Sequence, residues 1–211
     1  MTIDWLKFLP ALVLLLTPGD LFNGGEKARY RDVTRDWEGY WVRALLHGMH
    51  SIDLVRAALG TWLLLESLHG APDPRGLAKY EVLMVQGGIR ILAVFLQTVV
   101  CREKDAVNAP FTFVIGLLVG GLSPVVGLFA VALAVPVALG SRSALAFFPV
   151  LALGQLGIGF WFKGKGAVFS LGFGAFAALV PFLWAIMFRR DLVVAYRAKR
   201  QASDGSRSPL R

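Results

Sequence analysis

What most constrains this chain is the stretch from Phe111 to Phe188, almost wholly apolar and broken only at Gly140-Ser141-Arg142-Ser143 and Lys163-Gly164-Lys165-Gly166. Blocks of this length and apolarity need lipid to cover them, since a helix takes about 20 apolar residues to cross a hydrocarbon core of ~30 Å. Composition agrees. Hydrophobic residues make up 56% of the chain and charged residues 17%, against about 25% charge in an ordinary soluble domain. The sequence therefore reads as all-α, a polytopic transmembrane helical bundle forming a single domain over residues 1–200.

Taken in order, the apolar run Leu6–Leu16 is short for a span. Asp4 beside it, and the lack of a small-x-small cleavage site before Thr17-Pro18-Gly19, read it as a retained first helix rather than a signal peptide. From Asp36, the residues Trp37, Tyr40, Trp41, Ala44 and Leu45 follow the spacing of one helical face. Their aromatic content predicts an interfacial amphipathic helix over about 36–48. Ser51–Leu68 and Tyr80–Cys101 read as the second and third spans. Residues 111–139 are too long for one ordinary span and hold Ser123-Pro124 near their centre, which predicts two short helices. Ala144–Phe162 and Ala167–Phe188 complete about seven spans, or six if 111–139 crosses once. The basic tail after Phe188 can continue the last helix along an anionic membrane surface, and residues 201–211 read as a disordered basic tail.

Sidedness follows from the basic residues. With seven spans, fifteen Lys and Arg fall on one side and five on the other; with six the division is eleven to nine. The positive-inside bias prefers seven, with the N-terminus outside and the C-terminus cytoplasmic in a bacterial-type inner membrane. The same placement explains the net charge of +8 without nucleic acid. The partners expected are the lipid bilayer, its anionic headgroups, and either a membrane protein or a second copy of the chain.

Charge inside the spans is where function is to be sought, because a charged residue at the bilayer centre costs about 2.5–3.5 kcal/mol on insertion scales. The second span carries Asp53, Arg56 and Glu66, and Asp53 and Arg56 are spaced to pair. On the third span Gln86, Arg90 and Gln97 share one helical face, with Arg90 the deepest. Two readings follow: a substrate or proton path using Asp53, Glu66 and Arg90, or structural ion pairs between helices.

Three weaker signals remain. His47 and His50 share a helical face and could ligate a metal, haem or chlorophyll, but two histidines make an incomplete site and no cofactor is expected. Lys163 and Lys165 flank a glycine turn that could contact a phosphate or headgroup. Over six residues that turn is similar to the lysine/glycine loop of bacterial glycerol-3-phosphate acyltransferases, but no Ser-Gly-Asn motif accompanies it and no role carries over. Small residues four apart, at Gly116 and Gly120 and at Ser170, Gly174 and Ala178, read as helix-packing faces within the chain or toward a partner. The single cysteine, Cys101, excludes an intrachain disulfide. With no hydrolase, Walker or zincin motif, the sequence favours a non-enzymatic helical subunit or scaffold. A small-solute or ion transporter between the second and third spans stands as the alternative, and a lipid-modifying or cofactor-binding enzyme behind it.

Overall fold

The computed structural model describes residues 2–19, 27–29, 48–70, 77–100, 106–121, 124–141, 144–164, 167–189 and 191–195. Among them are seven helices: α1 (Trp5–Leu16), α2 (Gly48–Ser67), α3 (Leu77–Val99), α4 (Phe111–Gly121), α5 (Pro124–Gly140), α6 (Ala144–Lys163) and α7 (Val168–Met187). The body of the expected interfacial helix and the 201–211 tail lie outside the described residues, and Gly48 opens α2.

Local chemistry sets several of these boundaries. The Asp4 carboxylate accepts a hydrogen bond from Leu6 N–H at 3.1 Å and caps α1. Pro124 opens α5, the position where proline's missing N–H costs nothing. Gly164, at φ +67, lets the chain leave α6 while its N–H donates to Phe160 O at 2.9 Å. The two short helices expected over 111–139 are thus present as α4 and α5.

Five short strands lie among the described residues, none of them expected from the sequence. β1 (Thr2–Ile3) pairs antiparallel with β3 (Leu68–His69). β5 (Asp191–Ala195) lies between β2 (Lys27–Arg29), antiparallel, and β4 (Ala106–Asn108), parallel. The tail thus does not continue α7 as expected. Arg189 sits at φ 49 and turns the chain, and the backbone groups of 191–195 find partners in two neighbouring strands instead of further helical turns.

These two small sheets set the directions of α1, α2, α3, α4 and α7. The larger gathers the α1–α2 connector, the α3–α4 connector and the segment after α7 at one end of the bundle, hereafter the sheet end. The smaller holds the start of α1 against the end of α2 at the other. Ring contacts of Tyr80 with Phe169 and of Phe95 with Trp184 set α3 and α7 parallel. Gly127 beside Val119 makes α4 and α5 a hairpin. Consecutive helices run in opposite directions.

Direction is not length. Only α3, α6 and α7 hold windows long and apolar enough to cross a membrane (Lys79–Val99, Leu145–Lys163 and Val168–Met187). α1, α4 and α5 have 12, 11 and 17 residues, and α2, at 20 residues, carries His50, Asp53, Arg56 and Glu66. Three helices, rather than seven, qualify on this measure.

α4 is the centre of the bundle, with every residue from Phe111 to Leu118 buried. Gly116 and Gly120 set its backbone directly against α2: a Cβ on Gly116 would overlap the Leu54 carbonyl oxygen, and one on Gly120 the Ala58 carbonyl oxygen. The surface is inside out for water. On α2, Ile52, Val55, Leu59 and Trp62 form an exposed apolar stripe while Arg56 is buried; on α3, Met84 and Leu92 are exposed while Gln86, Arg90 and Gln97 are buried. Apolar surface this continuous fits lipid, and the chain is compatible with an integral membrane location.

Candidate functional site

α1 stops after three turns, at Thr17-Pro18-Gly19, and leaves its last carbonyls without helical partners. Side chains from α2 and α3 satisfy that of Thr17, the residue that ends the helix. Thr17 O accepts from the Arg56 guanidinium and, at 2.7 Å, from Gln97 Nε2. Gln97 Oε1 accepts from Gly19 N–H at 2.7 Å, and Asn108 Nδ2 donates to Gln97 O at 3.2 Å. Arg56 also pairs with Asp53 at 2.8 Å and lies 5.1 Å over the Phe113 ring. Asp53, Arg56 and Gln97 thus belong to one cluster joining α1, α2, α3 and the entry to α4. Within it Arg56 Nε is buried without a hydrogen-bond partner. Thr17, Gly19 and Asn108 are members that the sequence reading missed. Pro18 was the available signal, because the residue before a proline tends to end a helix and strand its carbonyls. Gln97→Leu is expected to cost about 1–3 kcal/mol, the penalty of orphaning buried polar groups, read as a lower unfolding temperature in detergent.

Arg90 is different. It sits near the middle of α3, 1% exposed, against Gly121, the last residue of α4, and Thr61 of α2. A Cβ on Gly121 would lie 3.0 Å from both Arg90 Nη1 and Thr61 Cγ2. Arg90 Nε donates to Gln86 O, one turn back on its own helix, at 3.2 Å. Gln86 Nε2 reaches Leu65 O at 3.5 Å and ties α3 to α2. Arg90 Nη2 is buried without a hydrogen-bond partner, and no acidic side chain pairs with Arg90 among the described residues. The C-terminal dipole of α4 opposes part of that charge, but a half-charge at a short helix end does not neutralise a guanidinium.

No family model, no curated protein and no solved structure matches this chain.

The other expected residues are not brought to Arg90. Glu66 is exposed near the end of α2 away from the sheet, while Asp53 is at the sheet end. The path drawn through Asp53, Glu66 and Arg90 is therefore not assembled as one constellation. His47 lies outside the described residues, and His50 is placed only as a backbone position in the first turn of α2. No three His, Cys, Asp or Glu side chains converge among the described residues. Lys163 is exposed at the C-terminal end of α6, where the helix dipole favours its charge; Lys165 lies outside the described residues. A further buried polar group, Gln155 on α6, donates to Leu171 O at 3.3 Å and fits only because Gly174 of α7 has no side chain. The glycine faces are thus used between helices of the same chain.

Proposed function

We propose that the protein is a small multi-pass membrane transporter or channel, with a solute-binding point at Arg90 between α2, α3 and the end of α4. The observation that carries this reading is a guanidinium buried near the middle of α3 with a hydrogen-bonding atom unused and no acidic partner among the described residues. Intramembrane charge is costly, and where it is not paired it marks a solute path more often than a structural prop. Helices that stop within the bilayer are also used at transport sites, and α4 spans only ~16 Å. In this reading all seven helices contribute to crossing an inner membrane, α4 in part, with the N-terminus outside. The sheet end, to which the seven-span sequence count assigns fifteen of the basic residues, is cytoplasmic.

A site kept for a solute is destabilising when empty. Arg90→Met is therefore expected to raise the unfolding temperature by several degrees in detergent with sulfate as the sole anion, because it removes an uncompensated buried charge. A strong fall instead would make Arg90 a structural member and end the transport reading.

A helical subunit is the second reading, favoured by an open apolar groove of about 340 Å³ between α3 and α7, lined by Gly88, Leu92, Phe95, Phe176, Trp184 and Met187. Native mass spectrometry would support it by a stoichiometric protein partner that Gly88→Leu displaces, and would count against it by a bare monomer.

A further inference from the structure

Resting on the transport reading above, we infer that the solute bound at Arg90 is a small, singly charged oxyanion of the carboxylate or nitrate type. Three features of the site carry this. The first is sign. Arg90 is the one cation at this depth among the described residues that lacks an acidic partner, since Arg56 is paired with Asp53 and bonded to Thr17.

The second is charge number. One guanidinium compensates one negative charge, and at low dielectric the second charge of a sulfate or a phosphate dianion would itself be uncompensated. The third is donor geometry. Nε is engaged with Gln86 O, which leaves the two terminal nitrogens, Nη1 beside Gly121 and Nη2 without a partner. A guanidinium edge presenting parallel N–H groups matches two oxygens held on one planar centre. Thr61 adds no competing donor there, because its hydroxyl donates to Ala57 O at 2.7 Å, and its methyl group borders the same point beside Gly121 that Nη1 borders. Gly121 lets Nη1 approach its backbone closely: an added methyl would lie 3.0 Å from both Nη1 and the Thr61 methyl.

The test uses the full chain in proteoliposomes, with light scattering to follow swelling after osmotic shifts. Potassium formate and potassium nitrate, each with valinomycin to balance charge, probe singly charged oxyanions. Urea and glycerol probe neutral solutes, and potassium sulfate probes a dianion. Formate or nitrate uptake should exceed sulfate uptake at least tenfold. Arg90→Gln should abolish it, Arg90→Lys should retain part of it, and Gly121→Ala should reduce it.

Binding gives an independent readout. Formate or nitrate should raise the unfolding temperature of the native protein over sulfate at equal ionic strength, and leave Arg90→Gln unmoved. Arg90-dependent uptake of urea or glycerol without formate or nitrate would overturn the anion assignment and keep the path. Absence of uptake for every solute, with no thermal shift, would overturn both.

Discussion

Gly116→Val and Gly120→Val should each lower the unfolding temperature by roughly 6–12 °C. Both glycines lie where the backbone of α4 rests on the carbonyl oxygens of Leu54 and Ala58 in α2. Close backbone approach of this kind is what small residues permit between membrane helices. A branched side chain has no rotamer that avoids a main-chain atom, so the helices must separate. Separation would open the packing of α4, which is buried along eight consecutive residues. Overpacking a core costs typically 1–3 kcal/mol, and a clash with backbone belongs at the top of that range. For a chain of this size, about 3 kcal/mol lowers the unfolding temperature by roughly 6–12 °C. Fluorescence-detected unfolding in detergent measures it. Gly157→Ala is the control: nothing lies within 4 Å of a Cβ there, and the change should be neutral or slightly stabilising through helix propensity. Equal losses at Gly157 and Gly116 would show that the α2–α4 contact is not what the glycines protect.

Helix limits were readable because they rest on local chemistry. Pro124 breaks the apolar run of 111–139 into two helices, and a proline acts within a few residues of itself. The polar face of α3 was readable for the same reason, since Gln86, Arg90 and Gln97 fall on one side by spacing alone. The strands were not readable. Three residues at 27–29 or 106–108 carry no periodicity, and their partner at 191–195 is far along the chain, so only the assembled bundle brings them together. The burial of α4 was also hidden, because an all-apolar segment looks the same whether lipid or protein surrounds it. At the candidate site, the sequence grouped Asp53 and Arg90 as one path. The structure separates them through the early end of α1, whose stranded carbonyls draw Arg56 and Gln97 into a capping role.

That separation leads to a double-mutant cycle at the sheet end. Asp53→Asn removes the counter-charge of Arg56, whose side chain is 6% exposed. Breaking a buried pair by removing one partner costs about 3–5 kcal/mol. The lower end applies here, because Asp53 is itself 20% exposed and Arg56 keeps Thr17 O and the Phe113 ring. Arg56→Met should cost less, since Gln97 still satisfies Thr17 O and the Asp53 carboxylate retains some contact with solvent. The double variant should then be more stable than Asp53→Asn alone, with a coupling energy of about 1–3 kcal/mol. Strict additivity of the two single losses in unfolding temperature would mean that the ion pair contributes no coupling. A functional contrast goes with the energetic one. Because this cluster anchors α1 and lies apart from Arg90, the double variant should keep any Arg90-dependent solute uptake once reconstituted in folded form. Loss of uptake in a folded, thermally stable double variant would put Asp53 and Arg56 back on the solute path.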